Sequence, residues 1–480
     1  LEANVILRVV LDVEANGLHD YTKVWCIVAV DIDTQKEYIF DRPSSEEEFR
    51  HFHNSVSTYI GHNLLGFDRR CLRDLLHVDI AEKEIVDTYV LSKLLKSSME
   101  DGHSLEAWGD RLHFPKLHTD LDFSVFSPEI LQRCRRDVEL NVKVYKFLMK
   151  KLDRPEFKKA IEVEHKIAVI AEEMTDNGFL FDVESAKKLR DELAEEIKKI
   201  EDKLHLAFPP KSRLIREITP RLTKYGTIAK SNLPRDWLDL SSLSADAPFS
   251  LVEWVPFNPG SPSQVTERLY DAGWKPTDKT KGHIEAEKSN DEEKLKKFLI
   301  HGWKVNEQNL STLPEDAPEA TQELVRWLLL AGRWRTLNEW LACVDEKDGR
   351  IHGRFNGIGT WTHRMSHNSP NMGNIATAKS IKYKAPDLQE TAIKLGSQMR
   401  SLWLASPGYT LVGTDASGIQ LRIFAHYINE PVFTKALISG SSKDGTDAHS
   451  LNAAILGCSR DTAKTFNRMS INPLNSGNLH

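Results

Sequence analysis

The sequence predicts an α/β chain of about three domains, on three observations. Apolar runs of strand length open the chain at 5–13, broken by Arg8, and at 25–32, the pattern of neighbouring buried strands. Farther along, Leu189, Leu193, Ile197, Ile200 and Leu204 recur at helical spacing with charged residues between them, the stripe of a helix packed on one side. Finally, 480 residues exceed what one core serves, at roughly 100–200 residues per domain.

Composition narrows the function classes. The formal net charge of −6 argues against a uniformly basic nucleic-acid coat, yet it is compatible with a basic cleft on an acidic body. Cys26, Cys71, Cys134, Cys343 and Cys458 are scattered without C-x-x-C spacing, so neither a zinc site nor a disulfide framework is indicated and a reducing cytoplasm is expected. No apolar run approaches the roughly 18 residues of a membrane span and no signal peptide is visible, so no membrane partner is expected. The chain opens on Leu1 rather than Met, so its amino end need not be complete.

Asp12 and Glu14 stand near the end of the first apolar run. Residues two apart on a strand share a face, so these carboxylates can converge on one site. Alone, an Asp-x-Glu pair more often means two solvated acids. Further strings follow in order: Gly61-His62-Asn63-Leu64-Leu65-Gly66-Phe67-Asp68, Val86-Asp87-Thr88, Gly102-His103-Ser104-Leu105-Glu106-Ala107-Trp108-Gly109 and Arg136-Asp137-Val138-Glu139. Asp12, Glu14, Asp68 and Asp137 make a set of hard oxygen donors suited to Mg²⁺ or Mn²⁺, where His or Cys would not serve. Cleaving a phosphodiester by in-line attack calls for such a set, holding two metal ions about 3.5–4 Å apart. Arg133 precedes Asp137 by one helical turn, and an i,i+4 salt bridge is the plain alternative for that pair.

In the middle of the chain, residues 151–155 read as a linker. Helices are expected over 161–174 and 185–206, separated by a stop at Asn177-Gly178, with Asp182 capping the second. Residues 209–235 carry Lys211, Arg213, Arg216, Arg221, Lys224, Lys230 and Arg235 against Glu217, among several prolines. That segment is expected to be a loop, either serving a phosphate backbone or simply solvated. Phe257-Asn258-Pro259-Gly260-Ser261 reads as a turn before a short helix, and 324–341 as a Trp-rich amphipathic helix whose aromatics belong to a core.

The longest specific string is Gly413-Thr414-Asp415-Ala416-Ser417-Gly418-Ile419-Gln420-Leu421-Arg422-Ile423-Phe424-Ala425-His426-Tyr427. Residues 409–412 ahead of it read as a short buried strand and those from 419 as a helix, which puts Asp415 at the strand's end. A lone Asp there would be read as a helix cap. Downstream come Gly445-Thr446-Asp447-Ala448-His449 and Arg460-Asp461-Thr462-Ala463-Lys464-Thr465-Phe466.

Together these strings resemble the family A DNA polymerases, most closely the branch of T-seven-like phages and cyanophages, over roughly residues 5–466. The resemblance implies an N-terminal ribonuclease H-like 3′–5′ exonuclease domain at 1–150, followed by an incomplete right-hand polymerase domain. Its thumb and proximal palm would span 151–410, with a basic insertion near 209–250, and a palm strand and the start of the fingers would span 411–466. The activity implied is DNA-directed DNA polymerisation with proofreading, in a phage protein of the bacterial host cytoplasm. Asp415 and the Ala416 carbonyl would be palm metal ligands, and His449, Arg460 and Lys464 triphosphate ligands. Gln420 would crowd the 2′ side of the sugar. Arg364, in Thr362-His363-Arg364-Met365-Ser366, would reach the minor groove near the primer end, while Asn63 and Phe67 would seat a frayed 3′ end.

The departures from the family pattern carry their own expectations. Arg133 stands where a water-orienting Tyr is usual, and an arginine stabilises phosphate charge but is no base. Arg468 replaces a stacking Tyr, His363 and Gly373 replace a Gly and a Gln, and the 480 residues contain no His-Asp-Glu string, the family's second palm carboxylate. The resemblance therefore implies the upstream part of an interrupted polymerase gene, with 467–480 foreign to the fold, that needs a C-terminal half to polymerise. An exonuclease-only enzyme and an inert DNA-holding fragment are the alternatives. Partners implied are primer-template DNA and deoxynucleoside triphosphates. A thioredoxin-like processivity factor stays open, because the segment near 209–250 is shorter than the phage insertion that recruits one.

Overall fold

The structure is a computed structural model. It describes residues 6–464 apart from 19, 43–45, 118–120, 230, 232, 234–242, 311, 315, 377–385 and 417, and without the side chains of 46, 307 and 308. The tail at 467–480, together with Lys230 and Arg235, lies outside the described residues. The chain divides into two units, Leu1–Ser406 and Pro407–His480.

The first unit opens with a five-stranded sheet of β1 (Leu7–Ala15), β2 (Val24–Asp31), β3 (Glu37–Asp41), β4 (Val56–Gly61) and β5 (Glu84–Asp87), in the order β3-β2-β1-β4-β5. The pairs β1/β2 and β2/β3 are antiparallel, whereas β1/β4 and β4/β5 are parallel. The alternation of β1 sorts its residues between two cores. Leu7, Val9, Leu11, Val13 and Ala15 pack on one face with α1 (Glu46–Ser55) and α2 (Asp68–Leu76). Val10 faces the other way, toward Ile130, Cys134 and Val138 of the long helix α5 (Pro128–Leu152), which α3 (Thr88–Leu95) and α4 (Leu105–Arg111) flank. Asp12 and Glu14 share the face of Val10, so they point at α5.

The expected linker is a break of two residues, Asp153 and Arg154, before α6 (Pro155–Asn177). The second helical expectation holds closely: Gly178 ends α6 with φ +57°, and Asp182 caps α7 (Val183–Ala207) by accepting the Ser185 N–H at 3.0 Å. Between them lies β6 (Phe179–Phe181). A Cβ at Gly178 would come within 2.8 Å of His352 Nδ1, so both the dihedral and the space require glycine there.

Residues 211–218 correct the expectation of a loop. They form β7 (Lys211–Ile218), paired antiparallel with β8 (Phe249–Val255) from Lys211 opposite Val255 to Ile218 opposite Phe249. The prolines flank β7 rather than interrupt it, and its partner strand lies far along the chain, where a local reading does not find it. Arg213 pairs with Glu253 across this ribbon, and Lys211 reaches Glu267 at 3.5 Å.

Next come α8 (Pro262–Asp271), which follows the expected turn, then α9 (Lys281–Ser289), α10 (Glu292–His301), α11 (Glu307–Leu310) and α12 (Glu319–Ala342). The stripe of α7 packs on α12, joining Leu189, Leu193, Ile200 and Leu204 to Leu324, Leu330, Leu337 and Trp340. The short strands β9 (Val344–Asp345) and β10 (Arg350–Ile351) join β6 and, later, β13 (Trp403–Leu404) in a sheet ordered β13-β6-β10-β9. The hairpin of β11 (Arg354–Asn356) and β12 (Ser366–Asn368) presents Thr362 to Met365 at its tip, and α13 (Pro386–Ser401) precedes β13.

The second unit contains α14 (Ile419–Ile428), α15 (Pro431–Ser439) and α16 (Ala448–Leu456). The helix expected from residue 419 is present. The strand expected at 409–412 is not: those residues are coil, with Tyr409 79%, Leu411 53% and Val412 86% exposed. Among the described residues of this unit no strand lies alongside to pair with them, and a lone strand leaves its backbone groups unpaired.

Candidate active site

Strand β1 and helix α5 bring the first set of predicted acids together. One carboxylate oxygen from each of Asp12, Glu14 and Asp137 lies within 4.8 Å of the others. Asp68 opens α2 beside them, and its Oδ1 accepts the Val13 N–H at 2.9 Å, which ties α2 to β1. Cys134, on α5 with Asp137, donates its S–H to the Asp12 carbonyl at 3.4 Å.

Crowding carboxylates out of water raises their pKa values, and here burial dominates. Burial pushes Asp12 well up, helped by Asp68, Glu14 and Asp137 and opposed by Lys116. It pushes Glu14 up to about 7 against the pull of Arg133. Asp68 rises to about 8 for the same reason, although the Val13 N–H favours its charged form. Asp137 Oδ1 is buried without a hydrogen-bond partner. An all-oxygen donor set that holds excess negative charge and an unpartnered carboxylate oxygen fits a hard divalent cation.

Two cations enter the cluster. Arg133 does not bridge to Asp137. Its Nε lies 3.3 Å from Glu14 Oε1, and its guanidinium sits 5.2 Å from the centre of the Phe123 ring. The i,i+4 alternative is thereby corrected: the side chain leans across to β1, where an acid and an aromatic face both attract it. Asp137 has instead taken Lys116, whose Nζ is 2.6 Å from Oδ2. Lys116 was not picked out from the sequence. It sits in an irregular segment after α4 that Arg136 pins through a 3.0 Å bond from Nε to the Pro115 carbonyl, and no local pattern signals such a placement.

The loop before α2 is held by Asp87. Its carboxylate accepts the N–H groups of Asn63 at 2.8 Å, Leu64 at 3.1 Å and Tyr89 at 2.8 Å, and its own N–H donates to His165 Nε2 at 2.8 Å. Asn63 is thus fixed in the left-handed region at φ +58°. Phe67 meets Tyr21 edge to face at 6.0 Å between ring centres. The sequence string containing Asp87 is therefore a structural organiser of this loop.

Arg364 is exposed at the β11/β12 tip, where its carbonyl accepts the Gly359 N–H at 2.9 Å. Two side chains anchor that tip from α3 and the residues just after it: Lys93 Nζ donates to the Ile358 carbonyl at 2.8 Å, and Ser97 Oγ to the Trp361 carbonyl at 3.0 Å.

In the second unit Asp415 and Ala416 lie in exposed coil, and the Ala416 carbonyl accepts the Ile419 N–H at 3.3 Å. Neither of the two groups of metal-capable side chains found among the described residues includes Asp415. Gln420 is half-buried in the first turn of α14. His449 and Arg460 are brought together by Asp447. Its carboxylate caps α16 through the His449 N–H at 3.1 Å and binds Arg460 Nη2 at 2.9 Å and Nε at 3.2 Å. Arg460 holds the Asp447 carboxyl far below the usual carboxylate range. Burial lowers His449, and the charges of Arg460 and Lys464 add to that effect, so the three predicted triphosphate ligands share one neighbourhood.

Comparison with known proteins adds the following. The family model described as DNA polymerase family A matches residues 239–475. The DNA-directed DNA polymerase of Escherichia phage T7 is 27% identical over 95% of this chain and 74% of its own length. That of Enterobacteria phage T3 gives the same figures, 27%, 95% and 74%. Among solved structures, the POL domain of Pol1 from M. smegmatis, in complex with DNA primer-template and dNTP, covers 98% of this chain and 67% of that one, with a TM-score of 0.61 at 15% identity.

Proposed function

The chain belongs to the family A DNA polymerases, DNA-directed DNA nucleotidyltransferases, and from that premise we propose that residues 1–150 form a 3′–5′ exonuclease centred on Asp12, Glu14, Asp68 and Asp137. The observation that carries this reading is the convergence of three carboxylates from β1 and α5 within 4.8 Å, with a buried oxygen of Asp137 left unpartnered.

The four acids would hold Mg²⁺ or Mn²⁺. When bound, such ions supply an activated water and charge stabilisation for phosphodiester hydrolysis. The chain's own residues do the rest. Asn63, set by Asp87, and Phe67, set against Tyr21, seat the terminal nucleotide and fray it from its complement. Arg133 neutralises Glu14 and any phosphate charge beside it. With no tyrosine at that position, water is oriented by the carboxylates alone, so trimming is slower than with a dedicated hydroxyl.

Residues 151–410 act as thumb and proximal palm, and 411–466 as the palm segment that carries Asp415 and the start of the fingers. Primer-template DNA and deoxynucleoside triphosphates are the partners. Arg364 contacts the primer end. His449, Arg460 and Lys464 meet the triphosphate, as fixed cations do in phosphoryl transfer, Gln420 screens the sugar, and Asp415 with the Ala416 carbonyl is the palm's metal-binding share. None of the described helices is long and apolar enough to cross a membrane, and the bacterial cytoplasm is the place proposed for this activity.

The test is hydrolysis of single-stranded and primed oligonucleotides with Mg²⁺ or Mn²⁺, comparing the parent chain with Asp137→Asn. Metal-dependent loss of 3′ nucleotides that falls at least a hundredfold in Asp137→Asn supports the reading. Equal rates in the two would remove Asp137 from the site.

A further inference from the structure

We propose that the Lys116 ammonium takes the place of one of the two divalent ions in the carboxylate cluster, so that this site binds a single Mg²⁺ or Mn²⁺. The inference rests on the exonuclease reading above and narrows it to a metal count.

Three observations carry it. Lys116 Nζ is 2.6 Å from Asp137 Oδ2, the separation of a direct ion pair with no room for water between. Both side chains are largely withdrawn from water, at 20% and 4% exposure, so the ammonium is built into the site. It also acts on Asp12 and Glu14, favouring the charged form of each, which puts it amid the cluster. Second, Asp137 keeps its other oxygen, Oδ1, buried and unpartnered. The carboxylate thus has one oxygen committed to a lysine and one to offer.

The third observation is the charge balance. Asp12, Glu14, Asp68 and Asp137 bring four negative charges when ionised, and Lys116 and Arg133, the latter 3.3 Å from Glu14, return two. What remains matches one divalent ion. A second ion would stand against an ammonium in a space where two metals normally lie only about 3.5–4 Å apart. Lysine suits this post because its ammonium is a compact point charge on a long stem. In the working site it would neutralise phosphate charge on the side where the second ion is missing.

The experiment counts ions. Mn²⁺ binding is measured by the loss of the free-ion electron paramagnetic resonance signal, on the full chain carrying Asp415→Ala to remove the predicted palm ligand and Asp348→Asn to disable the separate group of Asp345, Asp348 and His352. It is done with and without thymidine 5′-monophosphate as a product-like probe. Lys116→Met keeps the stem and removes the charge, and Lys116→Gln serves as a second variant, with circular dichroism checking that each folds. The expected result is one ion per chain in the parent, with and without the nucleotide, and a doubling to two in the lysine variants. Two ions in the parent would overturn the proposal. One ion in both parent and variants would overturn it while leaving the exonuclease reading intact. No ion in the parent, or an ion that remains in the Asp12→Ala, Glu14→Ala variant, would instead defeat the exonuclease reading and this inference with it. If neither lysine variant folds, the parent count decides alone.

Discussion

Arg133 Nε lies 3.3 Å from Glu14 Oε1, although Asp137 is the acid one turn away on the same helix. The arginine therefore faces the carboxylates that β1 presents toward α5. Replacing it with tyrosine would remove a cation from Glu14 and offer a hydroxyl able to orient water. Arg133→Tyr is expected to raise the single-turnover trimming rate about tenfold or more, at the low end of what positioned acid–base groups contribute. An unchanged or lower rate would count against a water-orienting location for residue 133.

The carboxylate cluster makes stability depend on pH in a particular direction. Glu14 is pushed up to about 7 and Asp68 to about 8 in the folded chain, so the fold binds protons more tightly than the unfolded chain does. Their contribution is fully present below the ordinary carboxylate pKa, near 4, and is lost as pH rises through 7 to 8. In EDTA, the melting temperature of the first unit should fall by a few degrees between pH 5 and 8. Asp68→Asn, which can still accept the Val13 N–H, should flatten that decline, and Mn²⁺ should reverse it in the parent chain. A melting temperature in EDTA that rises over this range would refute the direction of both shifts.

Gly178 holds φ +57° with a Cβ position 2.8 Å from His352 Nδ1 and 3.1 Å from the Ile351 carbonyl. Gly178→Ala should cost about 1–3 kcal/mol, from backbone strain and the displaced histidine together. Urea denaturation measures it; a loss of less than half a kcal/mol would mean that the turn relaxes freely.

Much of this was legible beforehand. The strand pair bearing Asp12 and Glu14, the helix stop at Gly178 and the cap at Asp182 follow from periodicity and from residues with one conformational use, signals confined to a few neighbouring positions. The ribbon of 211–218 with 249–255 was not legible, because pairing between distant segments leaves no local trace. Residues 409–412 have strand composition, but no strand lies beside them among the described residues of their unit. Lys116 escaped because a lysine in an irregular loop looks solvated until the fold turns it inward. Asp447 escaped for the converse reason: an Asp before a helix reads as a cap, which it is, while its second role of holding Arg460 depends on a residue a helix away.

Polymerisation sets a separate expectation. Nucleotide addition depends on metal ions held by palm carboxylates, and Asp415 is the palm carboxylate proposed above. In primer extension with Mg²⁺ and all four deoxynucleoside triphosphates, any templated extension is expected to be lost in Asp415→Ala. Extension undiminished in that variant would remove Asp415 from the palm.

The most direct measurement of the central claim follows the shortening of a 5′-labelled single-stranded oligonucleotide with Mg²⁺, by the parent chain and by the Asp12→Ala, Glu14→Ala double variant. The account predicts a ladder of products that shorten from the 3′ end with release of nucleoside 5′-monophosphates. In the double variant the ladder should vanish, while oligonucleotide affinity in EDTA stays nearly unchanged. Undiminished shortening by the double variant would contradict the account, because the acids of β1 would then have no part in the cleavage.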